Sequence, residues 1–280
     1  MNKITPFSFY DFLGYLIPGS MALFIILMLQ KCISLNCLDF SFVLSQSTII
    51  DFNNVFILIV TSYVLGHIIS YISSVSIEKY SVWKLGYPSK YLLGYSAKDY
   101  FYEDLGKKRL FYRLLNAIFL LPFILWDVFI GDELKMNTLI AKPLDKSLSN
   151  LVKLKISQFM KCEYPEIDAA KHAEENDYFR IIYHYIVEKS PSHFPKLQNY
   201  VALYGFARTL TLIFVLLSWS IVIVWKRVNL NISQAIFAFL IFSFMGYIMN
   251  ACFNKFYRKF SLEAYMALLV VYKKTTNTKT

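Results

Sequence analysis

Four apolar stretches govern everything this chain can become: Phe12 to Lys31, Val55 to Ile77, Gly205 to Trp225 and Ser233 to Phe253. Each approaches the roughly 20 residues that a helix rising 1.5 Å per residue needs to cross a hydrocarbon core. In water each would expose a large apolar surface. In a bilayer the backbone must pair its own polar groups, which leaves helices as the economical form for runs of this length. The expected fold is therefore an all-α integral membrane protein, with four transmembrane helices in two pairs flanking a helical cytoplasmic domain. The boundaries that follow are a helix pair over 1–78, a cytoplasmic domain over 79–204, a second pair over 205–253, and a cytoplasmic amphipathic helix with a disordered tail over 254–280.

Charge sets the orientation. The hydrophobic fraction of 56% and mean hydropathy of +0.44 exceed what a soluble domain carries. The net charge of +10 is unevenly placed. Eighteen of the twenty-nine Lys and Arg lie between 79 and 204, and six more follow residue 254. The connection Cys32 to Asn54 has none, and the one after the third stretch has only Lys226 and Arg227. The positive-inside rule puts both termini and the middle domain in the cytoplasm, in a cell's inner membrane. The first stretch lacks a small-residue cleavage site and is expected to be a retained span. Cys32 and Cys37 fall on the opposite side, where a local disulfide competes with the plainer reading of two small apolar residues at a membrane boundary.

Leu114 to Ile130 is ambiguous. It is apolar but contains Asn116, Pro122 and Asp127, and it follows Lys107, Lys108, Arg109 and Arg113. A fifth span here would turn ten basic residues between Lys135 and Lys196 outward. The charge rule favours an interfacial or domain-core helix instead. Elsewhere in the middle, apolar spacing predicts helices over Leu144 to Met160 and Asp177 to Glu188, with a breaker at Ser190 to Pro195. From Lys196 the helical pattern runs unbroken into the third span. Phe253 to Tyr272 is amphipathic, either extending the fourth span or lying along the inner leaflet.

Within the second span, Gly66, His67, Ser70, Ser73 and Ser74 share one helical face. A polar stripe on a membrane helix must meet protein or water rather than lipid. It can line a pore, or it can be a tight helix contact whose serines bond their own backbone. The stripe is expected to end at the apolar Ile77. Asp11 opens the first span and Arg208 opens the third; they can pair near the cytoplasmic surface or reach water separately.

Catalytic signatures are lacking. The chain has no phosphate-binding glycine loop, no nucleophile elbow, no HExxH and no paired CxxC, and its four histidines are not at metal-ligand spacing. No enzyme activity, cofactor or metal is expected. Lys107, Lys108, Arg109 and Arg113 lie among tyrosines and phenylalanines, a composition that can hold phosphates and stack bases. The competing reading is contact with anionic lipid head groups beside an apolar helix.

The run Tyr10-Asp11-Phe12-Leu13-Gly14-Tyr15-Leu16-Ile17-Pro18-Gly19, with Gly66-His67, Ser73-Ser74 and Tyr204 to Arg208, resembles a loose group of bacterial membrane proteins of anti-phage defence. The layout is similar to the membrane effector of Hailong-type systems. That resemblance implies a homo-oligomeric channel-like effector in the lipid bilayer. It further implies that a partner nucleotidyltransferase makes a nucleotide or DNA oligomer, which the effector's cytoplasmic part binds. The alternative is a non-enzymatic membrane scaffold that recruits a soluble partner.

Overall fold

The computed structural model describes residues 11–35, 55–165 and 178–272. Among these, every regular element is helical and no strand occurs. In order they are α1 (Phe12–Leu35), α2 (Val55–Ser73), a π-helical turn (Ser74–Glu78), α3 (Lys79–Leu85) and α4 (Pro88–Tyr91). Then follow α5 (Lys107–Phe119), α6 (Leu121–Trp126) with a π-helical extension (Asp127–Glu133), α7 (Met136–Ile140) and α8 (Lys146–Glu163). Last come α9 (Phe179–Lys189), α10 (Phe194–Val224) and α11 (Ile232–Val271). Four helical stretches, beginning at Phe12, Val55, Phe194 and Ile232, are long and apolar enough to cross a membrane.

The described chain falls into two compact units. The first takes residues up to Tyr80, then Glu103–Met136 and Ala202–Phe253. Its most enclosed span is α10, whose apolar window is 56% buried against 17% for the second span and 28% for the other two, so α10 forms the core of this unit. The hydroxyls buried on α10 bond carbonyls of their own helix: Thr209 to Gly205 and Thr211 to Ala207, both at 2.9 Å, and Ser218 to Phe214 at 2.8 Å. Polar groups are thereby satisfied without crossing to another element. α1 and α2 meet backbone to backbone. A Cβ on Gly19 would stand 1.8 Å from the Ser62 carbonyl oxygen, and one on Gly66 would stand 2.0 Å from that of Tyr15. Only glycine permits that approach. Cys32 is buried beside Met28 and Val228. Its suggested partner Cys37 lies outside the described residues.

Leu114 to Ile130 is not one continuous helix but spans a break between two. α5 and the helix from Leu121 to Glu133 are bent by 83° at Leu120. Leu120, at φ −89° and ψ 3°, leaves the helical region, and Pro122 has no N–H to continue the ladder. Trp219 Nε1 donates to the Phe119 carbonyl at the break, 2.8 Å away. If this bent pair is one span, the total rises to five.

The second unit comprises Ser81–Tyr102, Asn137–Val201 and the residues from Asn254 onward. Its core stacks Val152, Ile156, Phe159, Ile182, Ile186 and Leu268. α8 begins where the Asp145 carboxylate accepts from the Leu148 N–H at 2.9 Å, an N-cap. Phe159 packs edge-on to Tyr272 and Phe179 edge-on to Tyr265. Tyr265 Oη donates to the Ser89 carbonyl at 2.8 Å, and Ser149 Oγ donates to that of Leu93 at 3.1 Å.

The two units group the chain by packing. The segment 103–136 belongs with the spans rather than with the rest of 79–204, because Tyr80, Trp219 and Ser243 of the first unit hold it by hydrogen bonds. Residues 254–272 are not a separate appendage. They continue α11 and supply buried Phe260, Ala264, Tyr265 and Leu268 to the second unit. The tail after Lys273 lies outside the described residues, as does the connection 36–54.

Candidate functional site, a polar belt on the second span

The polar stripe of α2 is divided by its neighbours. Gly66 and Ser73 are buried with Ser62 and Ile69, on the edge that α1 approaches at Gly66. His67 is exposed in the single chain and lies flat on the Tyr15 ring, centroids 3.8 Å apart at 18°, with Tyr63 edge-on at 4.6 Å. Ser73 Oγ donates to the Ser70 carbonyl at 2.8 Å and Ser74 Oγ to that of Tyr71 at 2.7 Å. The serines thus satisfy themselves on the backbone, while the flank with His67, Tyr71 and Ser74 remains at least partly uncovered. On another side of α2, Ile68 and Ile72 help line an apolar groove of about 350 Å³, with Ala22 and Ile25 of α1 and Ile213 and Leu217 of α10.

Arg208 does not pair with Asp11. Its guanidinium turns toward α2 and forms an ion pair through Nη1 with Glu78 Oε2. Nε donates to Ser73 Oγ at 3.2 Å, and Nη2 reaches Ser70 Oγ at 3.4 Å and the Ser70 carbonyl at 3.5 Å, the last two being long and weak. The side chains keep 12% and 27% of their exposure, so the pair is largely withdrawn from water. Sequence reasoning missed Glu78 by ending the stripe at Ile77. The signal was present, since Ser70, Ser74 and Glu78 follow at intervals of four.

Glu78 closes a π-helical turn, a geometry found often at functional sites. Two carbonyls of that turn receive side-chain donors from one face of α5: Tyr112 Oη bonds Val75 O and Asn116 Nδ2 bonds Ser76 O, each at 3.1 Å. Just beyond the turn, Tyr80 Oη donates to the buried Asp127 Oδ2 at 2.6 Å. Next to Asp127, Trp126 Nε1 donates to Ser243 Oγ at 2.8 Å. The result is a polar belt that ties α2 to α10 at Arg208 and to the bent pair at Tyr112, Asn116 and Asp127. Lys107, Lys108, Arg109 and Arg113 stand outside it on the first two turns of α5. The first three are exposed and Arg113 is half-buried.

The second unit is strongly basic. Its described residues carry fourteen Lys and Arg against five Asp and Glu, a net of nine positive charges with His neutral. Lys98, Lys153 and Lys155 lie over the rings of Tyr102, Tyr95 and Tyr272, at 5.0, 4.6 and 5.2 Å from the centroids. Burial raises the phenols of Tyr183, Tyr185 and Tyr272 above the ordinary tyrosine range. For Tyr272 a hydrogen bond with Cys162 adds to the effect. These rings therefore stay neutral near neutral pH. Among the described residues no group of three or more His, Cys, Asp or Glu could hold a metal ion. No family model, curated protein or solved structure matches the chain.

Proposed function

We propose that the chain is one subunit of a homo-oligomeric, gated membrane pore, with the basic second unit in the cytoplasm as its control domain. One observation carries this reading: the flank of α2 with His67, Tyr71 and Ser74 is not fully covered by the other described residues. Facing lipid would leave polar groups in hydrocarbon, whereas further copies arranged around α2 would turn that flank toward a shared wet path. Control would travel along α10 and α11, each of which is a single helix that includes residues of both units. The net positive charge of the second unit suits a polyanionic ligand such as an oligonucleotide. A role in anti-phage defence is proposed on the sequence resemblance alone.

Replacing His67 by Cys in a background without native cysteines should give copper-catalysed cross-links between copies. Ile223→Cys, on an exposed face of α10, should not. Ser74→Leu should insert normally but abolish any dye-reported loss of membrane potential. Ser70→Leu is a poorer test, because it also disturbs the Arg208 contact. Cross-links that are absent at position 67, with conduction indifferent to Ser74→Leu, would favour the scaffold reading.

Orientation has its own test. Ser149 is buried, so Ser147, exposed on the same helix, is the better labelling position in the control domain. Cysteines at 147 and 45 should react from opposite sides of the membrane. Reaction of both from one side would reverse the assignment.

A further inference from the structure

We propose that α5 is a docking surface for the anionic leaflet of the membrane, seated on the π-helical turn of α2. This inference stands apart from the pore reading, since it requires no conduction. The two sides of α5 do different things. Tyr112 and Asn116, four residues apart, face α2 and occupy the carbonyls of Val75 and Ser76. Leu110, Phe111, Leu114, Leu115 and Ile118 lie away from that contact and are 43–63% exposed. Lys107, Lys108 and Arg109 form the first turn of α5 and are exposed as well; Lys107 and Lys108 stand at the end of the apolar row, and Arg109 starts from the Tyr112 side, from which its long side chain can still reach head groups.

The occupant follows from charge and continuity. An apolar row capped by a basic cluster is the pattern of a helix lying at a lipid interface, with cations at phosphates and the row among acyl chains. The same compact unit contains helices long enough to cross the bilayer, so this surface is already held near lipid. With 13 residues α5 is about 20 Å long, short of the roughly 30 Å core, and the 83° bend turns the chain away at its end. A segment of that length and shape enters the leaflet without crossing. The basic cluster selects lipids with net negative head groups over zwitterionic ones.

The test uses the purified full-length protein, with phosphatidylglycerol and phosphatidylcholine offered together and bound lipid counted by native mass spectrometry. The wild type should retain phosphatidylglycerol preferentially. The Lys107→Ala/Lys108→Ala/Arg109→Ala variant should lose that preference, by about fivefold for each base removed. A control with Lys153→Ala, Lys155→Ala and Lys161→Ala in the second unit should keep it. Hydrogen exchange on the wild type alone guards against a misfolded variant: amides of 107–119 should gain protection in phosphatidylglycerol bilayers relative to phosphatidylcholine. Equal retention of the two lipids, an unchanged preference in the triple variant, or equal protection in both bilayers would overturn the proposal. So would a single-stranded DNA oligomer that displaces the lipid through the same three bases, since that would assign them to a soluble polyanion.

Discussion

Arg208→Ala is expected to destabilise the protein by about 3 kcal/mol, the lower part of the range for breaking a buried ion pair. Truncating the guanidinium leaves the Glu78 carboxylate 27% exposed with its cation gone, and removes the donor to Ser73 Oγ. Most of the loss is the penalty of an orphaned charge rather than the worth of the pair. The double change Arg208→Met/Glu78→Met should therefore recover most of it, since replacing both partners of a buried pair by apolar side chains is often neutral or better. Thermal unfolding in detergent of Arg208→Met, Glu78→Met, the double variant and the wild type measures this as a double-mutant cycle, with Arg208→Ala alongside. Additive losses would mean that the two side chains are separately solvated and that no latch exists between α2 and α10. Under the proposed function the same variant has a second readout. Releasing α2 from the core helix should raise basal conduction, while the apolar double variant restores the closed state.

That latch shows where reading the sequence stops. The spans were legible because each is a long apolar run, and α8, α9 and the unbroken α10 because their apolar spacing and the Ser190 to Pro195 breaker are local signals. The partner of Arg208 was not. Two carboxylates stood at span ends, Asp11 and Glu78, and only the orientation of α10 decides between them. The interval of four through Ser70, Ser74 and Glu78 put Glu78 on the stripe but did not say which carboxylate the third span would face. The packing of 103–136 against the spans was hidden for a related reason. Its basic residues argued for the cytoplasm, but its tertiary partners, Tyr80, Trp219 and Ser243, lie up to about 120 residues away, beyond any local pattern. Asn116 and Asp127, which looked like blemishes in an apolar run, are the groups that anchor it.

Gly66→Ala should be among the most damaging single-methyl additions in the spans. The new Cβ would stand 2.0 Å from the Tyr15 carbonyl oxygen and 2.7 Å from its carbon, inside the separation that real Cβ atoms keep. A side chain in that position could swing aside, but a helix backbone cannot, so α1 and α2 must part. The flat stack of His67 on Tyr15 lies one residue further along the same contact and would open with it. Overpacking of this kind costs about 1–3 kcal/mol, and a backbone obstacle puts the expectation at the upper end. Gly205, inside α10, is the internal control. Nothing lies within 4 Å of a Cβ built there, so Gly205→Ala should stabilise, by up to about 1 kcal/mol from helix propensity. The two alanines should therefore move the unfolding temperature of the purified protein in opposite directions. Equal stability for Gly66→Ala and the wild type would mean that α1 and α2 do not touch at Tyr15. The Gly66 end of the buried α2 edge would then be free to face water and would join His67 in the proposed path instead of walling it, while Ser73 stays held by Arg208.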